Sequence, residues 1–207
     1  MIILDKVLVT SEHESWERFS GSRGASEIEF SFEPGMNMVI GRNGAGKSTL
    51  LKLLREKMFT KSDAKGVKVK HSKHTEKQLV YFFMAEDNIP SVNLGKVSPY
   101  EDDYAQKTVF WLSRKEMSSG MNTLAMIRDA EELAKDASLV FFDEPEQALD
   151  ARALLDLRKA IKRIAKETQV VVVTHHPSLI LMKNAKIIEI NPSKPYLPDV
   201  EMLVKQI

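Results

Sequence analysis

The order of apolar and polar positions along this chain divides it into strands and helices. Ile28-Glu29-Phe30-Ser31-Phe32-Glu33 alternates strictly, which predicts a half-buried strand of antiparallel type. Pro34-Gly35 marks a turn ahead of the apolar run Met36 to Ile40. Further along, the alternation disappears. Leu139-Val140-Phe141-Phe142, Val170 to Val173, and Ile187-Ile188 within Ala185 to Ile190 are continuous apolar runs. Runs of that kind suit strands covered on both faces, as in a parallel sheet. Between them the period becomes helical. Met126, Ala130, Leu133, Ala134 and Ala137 share one face, and so do Leu154, Leu157, Ile161, Ile164 and Ala165. Strands alternating with helices predict an α/β core with right-handed crossovers. Pro192, Pro195 and Pro198, followed by Val200 to Ile207, predict an extended connector and a short tail over 191–207.

Composition narrows this picture only by exclusion. A length of 207 residues suffices for one domain with a sizeable core, or one domain plus a small subdomain. Thirty basic residues stand against 29 acidic ones, so global charge selects neither nucleic acid nor membrane as a partner. The chain has no cysteine, which excludes disulfides, cysteine–zinc sites and thiol catalysis. Met1-Ile2-Ile3-Leu4-Asp5-Lys6 meets charge too early for a secretion signal. No apolar run approaches the roughly 20 residues that span a bilayer. The expectation is a cytoplasmic protein without direct membrane insertion, so that any membrane step would need another chain.

Chemistry enters at Val39-Ile40-Gly41-Arg42-Asn43-Gly44-Ala45-Gly46-Lys47-Ser48-Thr49, a complete G-x-x-x-x-G-K-[ST] phosphate-binding loop. The glycines let backbone N–H groups curl around phosphate oxygens, and Lys47 can reach the β- and γ-phosphates. The Ser48 hydroxyl suits Mg²⁺, while Thr49-Leu50-Leu51 opens a helix whose positive end faces the anion. Candidate nucleotide-binding residues are therefore Gly41, Asn43, Gly44, Ala45, Gly46, Lys47, Ser48 and Thr49. A second motif, Ala137 to Pro145, is a buried strand ending in Asp143-Glu144. Two carboxylates then stand at the carboxyl edge of the sheet, where α/β proteins bind ligands. Asp143 can hold the Mg²⁺ shell, and Glu144 can polarise an attacking water as general base.

Three further segments carry a family resemblance. Met117-Ser118-Ser119-Gly120-Met121, just before an amphipathic helix, resembles the L-S-G-G-Q signature of ATP-binding-cassette (ABC) ATPases. Ala148-Leu149-Asp150 looks like their D-loop, and Val173-Thr174-His175 like their switch histidine. The resemblance runs from about Met1 to Ile190. Gly41 to Ser48 is similar to the G-x-N-G-x-G-K-S form common in the RecF/SMC-like branch and in small stand-alone ATPases. Tyr81 to Glu86 and Asp143 to Leu149 resemble the F-F-x-R-A-E and D-E-P-E-x-A-L runs of the stand-alone group. From Gly41 to Ser118 is 118 − 41 = 77 positions, too few for a long coiled-coil arm.

The resemblance implies an ABC ATPase fold within the α/β class, occupying 1–190. A mainly parallel P-loop core sheet would carry an N-terminal antiparallel β subdomain and a small helical signature subdomain, at roughly 87–135. It further implies ATP and Mg²⁺ as ligands and a homodimer closed around two ATP. Catalysis would then fall to Glu144, His175 and Lys47, with Ser118, Gly120 and Asp150 added to the nucleotide contacts. Metal ligands would be Ser48, Asp143 and Glu86, the last standing where the family has a glutamine. Met117, Ser119 and Met121 depart from the consensus Leu, Gly and Gln, while Ser118 and Gly120 keep the hydroxyl and the close backbone approach.

Partners are hinted at by charge. Lys52 to Lys77 holds nine Lys/Arg against Glu56, Asp63 and Glu76, or 9 − 3 = +6. Such a segment can follow a nucleic-acid backbone, or it can be a solvated lobe. His71 and His74 lie within it with no third metal ligand, and read as part of that basic face. Trp16 and Phe19, upstream of the loop, can supply an adenine platform or a satellite hydrophobic cluster. The favoured reading is an ATP-driven motor or clamp on nucleic acid, in repair, recombination or defence. The alternative is a nucleotide-binding subunit that powers a separate permease or effector.

Overall fold

A computed structural model describes residues 2–19, 26–59, 65–73, 79–83, 119–191 and 195–206. In chain order the elements are β1 (Ile2–Thr10), α1 (Trp16–Phe19), β2 (Glu27–Ser31), β3 (Met36–Ile40), α2 (Lys47–Phe59), β4 (Val67–Lys73) and β5 (Leu79–Phe83). They continue with α3 (Ser119–Leu133), β6 (Ala137–Asp143), α4 (Ala151–Ile164), β7 (Gln169–Val173), α5 (Pro177–Ile180), β8 (Lys186–Glu189) and α6 (Leu197–Lys205). Two sheets result: an antiparallel one ordered β2-β1-β4 and a five-stranded one ordered β5-β6-β7-β3-β8, whose pairings are all parallel.

The continuous apolar runs are the inner strands of the parallel sheet. Every residue of β6 and β7 is buried, because helices cover one face and the second sheet with α2 covers the other. Successive side chains on a strand point to opposite faces, and the two cores divide accordingly. Val39, Phe141, Val171 and Val173 join Leu4, Val7, Phe30, Leu50 and Leu54 on one side. Met38, Ile40, Val140, Phe142, Val170 and Val172 join Leu157, Ile161 and Ile164 of α4 on the other. The edge strand β5 is held by stacked rings at matching register. Phe82 lies 4.1 Å from Phe141 and Phe83 lies 5.3 Å from Phe142.

The alternating strand pattern also holds. Val7, Phe30 and Val67 point inward, while Lys6, Glu29, Lys68 and Lys70 are turned to solvent. The β1–β4 register shifts between Leu4 and Lys6, which lets buried Leu4 and exposed Lys6 differ in facing although two positions apart. A buried polar side chain joins the two sheets. Gln169, fully buried at the start of β7, accepts from the Leu4 N–H at 2.7 Å and donates to the Leu4 carbonyl at 2.9 Å. It also donates to the Glu33 carbonyl at 2.9 Å. The amide thereby imitates a strand partner for β1.

Three expectations are corrected. The helical face expected to run from Met126 to Ala137 ends earlier: α3 stops at Leu133, and Ala137 opens β6. The segment expected as an extended connector and tail contains helix α6, whose Val200 is buried in the core beside α4. Pro198 is compatible with that helix because it sits in the first turn, where an N–H has no intrahelical acceptor. Phe19 belongs to the core, buried with its ring edge-on to Phe30 at 5.9 Å, so it offers no adenine platform. Trp16 is partly buried against the same cluster. Of the helical subdomain expected over roughly 87–135, residues 87–118 lie outside the described residues.

Replacing Gln169 by Leu keeps the volume but leaves the buried N–H and carbonyl of Leu4 without this partner, while the Glu33 carbonyl still accepts from Asn37. At about 1–3 kcal/mol for each unsatisfied group, partly relieved by relaxation, the domain should lose about 3 kcal/mol. Urea unfolding would show this as a lower midpoint at unchanged slope. A loss under about 0.5 kcal/mol would mean that Gln169 does not join the sheets energetically.

Candidate nucleotide-binding site

The strand registers bring the motifs to one edge. Val173 of β7 lies opposite Val39 of β3 on one side and Asp143 of β6 on the other. The loop after β3, the Asp143-Glu144 pair and Thr174-His175 therefore leave the sheet at the same level, at its carboxyl end. Gly44 and Gly46 take φ angles of +77° and +99°, conformations that side chains with a Cβ seldom adopt. The Ala45 N–H donates to the Arg42 carbonyl at 3.1 Å, and the Leu50 N–H to the Gly46 carbonyl as α2 begins. At Gly41 a Cβ would stand 3.1 Å from the Ile190 carbonyl oxygen, so the loop packs directly on the chain after β8.

An open cavity of about 260 Å³ forms there. Asn43, Gly44, Gly46, Lys47, Ser48 and Thr49 line one side, and Glu144 and His175 the other. Lys47 is 5% exposed, and its Nζ donates to the carbonyls of Gly41 at 3.0 Å and Arg42 at 3.2 Å. Burial pulls the Lys47 ammonium below its ordinary pKa, against the opposing charges of Glu144, Asp143 and Glu146. The Ser48 hydroxyl donates to Asp143 Oδ1 at 3.3 Å. A hydroxyl and a buried carboxylate oxygen so close together suit a hard cation such as Mg²⁺, which takes one or two carboxylates alongside phosphate oxygens. Ser48 and Asp143 thus fit the metal expected from sequence.

Glu144 sits in the left-handed region at φ +47°, its N–H donating to the Val173 carbonyl at 2.9 Å. That turn aims the carboxylate into the cavity wall, where Oε1 lies 3.2 Å from His175 Nε2 and Oε2 accepts from Gln147. His175 is held below the usual histidine pKa by burial first and by the Lys47 charge second, against Glu144 and Glu146. It is therefore neutral at pH 7.

Sequence reasoning overlooked Glu146 as part of this arrangement. Its Oε1 accepts from the Thr174 hydroxyl at 2.5 Å and from the N–H groups of His175 at 3.1 Å and His176 at 3.3 Å. One carboxylate oxygen thus fixes the turn that presents His175. The D-E-P-E run held the only available signal.

Other expected residues are not brought to this cavity. Asp150 caps α4, accepting from the Ala153 N–H at 2.8 Å. Gly120 lies in the first turn of α3. Ala45 shapes the loop without lining the cavity. Ser118 and Glu86 fall outside the described residues, as do Lys61, Asp63, His74, Glu76 and Lys77 of the basic segment. Where that segment is described, the sheet changes its meaning. Lys68 and Lys70 of β4 share the exposed face with Glu29 of β2, which pairs with Lys6 at 2.9 Å. The face is of mixed charge.

Parallel core, phosphate loop and the Asp143–Glu144–His175 cluster at one strand edge form an ABC ATPase fold, whose cavity holds the groups needed to bind ATP with Mg²⁺ and to hydrolyse it. Comparison with known proteins agrees. Residues 84–181 match the family described as "AAA domain, putative AbiEii toxin, Type IV TA system". The chain is 29% identical to ABC transporter G family member 2 of Dictyostelium discoideum, over 76% of this chain and 14% of that protein. It is 26% identical to the ribose import ATP-binding protein RbsA of Shouchella clausii, over 72% of this chain and 36% of that protein. The chain therefore spans well under half the length of these relatives. A nucleotide-free ATP-binding cassette from an ABC transporter superposes with a TM-score of 0.54 at 17% identity, covering 91% of this chain and 89% of that one. A dimeric ATP-binding cassette in a post-hydrolysis state with ADP and Pi gives 0.51 at 17% identity, covering 92% and 96%. At that identity the superpositions establish the fold.

The low pKa of His175 has a signed consequence. Its unfolded value is near 6.5 and its folded value lies lower, so acid favours the unfolded chain. The His175 contribution to stability is complete above about pH 6.5 and is lost as pH falls below it. An NMR titration should place the His175 midpoint below 6.5, and Lys47→Met should raise it by removing a like charge. A midpoint at or above 6.5 in the parent would contradict the burial and charge argument.

Proposed function

We propose that this ATPase works as the nucleotide-binding subunit of a larger assembly, closing as an ATP-dependent homodimer and powering or gating a separate permease or effector chain. The relatives support this over a nucleic-acid motor, since they are ABC transporter proteins and ATP-binding proteins for sugar import. Among the described residues no helix is long and apolar enough to cross a membrane, so a transport step would need a partner chain. In this reading the chain works at the cytoplasmic side.

The observation that carries the mechanism is the convergence of Lys47, Glu144 and His175 on one cavity. Lys47 holds the β- and γ-phosphate oxygens by charge, with the loop N–H groups around it. Ser48 and Asp143 would hold Mg²⁺, which would neutralise charge on the phosphates. Glu144 orients water and takes its proton as general base. Neutral His175, restrained by Glu144 and Glu146, donates to the γ-phosphate and senses its departure. Ser118 and the N-terminus of α3, with Asp150, would serve the site of the opposite copy, and Glu86 would add a ligand to the metal. Two-fold closure then satisfies both sites at once.

Within this reading the RecF/SMC-like branch and its stand-alone relatives remain the proposed lineage. The D-E-P-E run and the short span between loop and signature support it. A nucleic-acid role rests on one observation, the exposed Lys65, Lys68 and Lys70, and Glu29 on the same sheet face weakens it.

Glu144→Gln should bind ATP near normally and hydrolyse it about 10²–10⁴-fold more slowly, whereas Lys47→Ala should lose nucleotide affinity. Glu144→Gln with ATP and Mg²⁺ should elute as a dimer on sizing chromatography and as a monomer with ADP. Retained turnover in Glu144→Gln would place the base elsewhere.

Co-purification with a membrane or effector chain is expected from native cells. Tight duplex binding whose salt slope flattens when Lys65, Lys68 and Lys70 become Gln, by about 0.9 per lost phosphate contact, would favour the motor instead.

A further inference from the structure

We propose that Tyr196 is a positioning residue for His175, and that helix α6 serves as a brace tying the switch histidine to the phosphate loop. The inference rests on the assignment of His175 to the γ-phosphate.

Glu144 and Glu146 hold His175 on one side, at its ring and its backbone N–H. Tyr196 holds the other. The Tyr196 ring stands edge-on to the imidazole, with centroids 6.1 Å apart and planes at 81°. Its hydroxyl donates to the His175 carbonyl over a long 3.4 Å. Tyr196 does not line the cavity, so it acts on the reaction only through His175.

A brace requires a fixed base, and Tyr196 has one. As N-cap of α6 it makes no side-chain capping bond of its own. Glu189 Oε1 performs that task instead, accepting from the N–H groups of Tyr196 and Leu197. Glu189 ends β8 in register with Ile40, the residue before the phosphate loop, and the Ile190 N–H donates to the Ile40 carbonyl at 2.8 Å. One turn into the helix, Asp199 pairs with Arg42 of the loop at 2.5 Å. That pair is half exposed and contributes little energy by itself, so its effect is to set where the helix lies. Val200 beneath it is buried in the core. Helix α6 is thus seated on the loop-bearing strand and on the loop, and its N-cap residue touches the switch. A shift of α6 would move Tyr196 and, with it, His175 relative to Lys47.

The test is steady-state ATP hydrolysis by the full chain as wild type, Tyr196→Ala, Tyr196→Phe, His175→Ala and the Tyr196→Ala/His175→Ala double variant. Misplacing a catalytic group by about 1 Å can cost up to about 10²-fold, so loosening His175 should lower kcat about tenfold in Tyr196→Ala while KM changes by less than about twofold. Tyr196→Phe keeps the ring edge and should retain at least half of wild-type kcat. In the His175→Ala background, Tyr196→Ala should cause no further loss, because the two residues act as one unit. An equal loss in both backgrounds, or none in either, would overturn the proposal. If His175→Ala itself kept full turnover, the assignment of His175 would fail, a result separate from failure of the brace. Thermal unfolding checks that each variant folds. Should Tyr196→Ala not fold, Tyr196→Leu, which keeps bulk without the edge-on ring, replaces it in the same cycle.

Discussion

Everything at the site depends on how three inner strands end. Val173 faces both Val39 and Asp143, so β3, β7 and β6 terminate level with one another. A slip of one residue would invert every side chain on the slipped strand. It would carry Phe141 and Phe142 to the wrong cores and move Asp143 away from Ser48. Core packing on both faces of the sheet therefore enforces the alignment of catalytic groups. The chemistry is precise because the core is full.

The electrostatics of the cavity follow from that alignment. Lys47 is buried beside Asp143, Glu144 and Glu146, which oppose the cost of taking its charge out of water. The same carboxylates would repel a triphosphate. A polyanion is admitted only if the loop N–H groups, Lys47 and a cation at Ser48 and Asp143 outweigh them, which gives the paired hydroxyl and carboxylate a physical reason. His175 feels both signs and stays neutral because burial and Lys47 prevail over the two glutamates.

Single polar side chains connect this edge to the rest of the molecule. Gln169 joins the sheets across 165 positions of sequence, Glu146 reaches 28 to 30 residues to hold the switch turn, and Glu189 caps α6. The two Leu4 bonds of Gln169 are buried and those of Glu146 and Glu189 part-buried, and each side chain acts as a locating pin. Among the described residues Glu146 Oε2 is buried without a partner, while Oε1 restrains three donors.

By itself the sequence determined whatever is local in its physics. The continuous runs that became β3, β6 and β7, the alternating strand β2 and the face of α4 were legible because burial on one side or two leaves a period in the chain. The phosphate loop and Asp143-Glu144 were legible because their geometry depends on neighbouring residues. Only the tertiary structure decided the rest. The tail became α6 because Glu189 caps it and the core accepts Val200. Phe19 became core because Phe30 lies against it. The described part of the basic stretch came to share a sheet face with Glu29, across β1, and Tyr196 came to rest on His175, 21 residues away in sequence. These depend on which surfaces meet once the chain has closed on itself, and no local pattern of side chains records that.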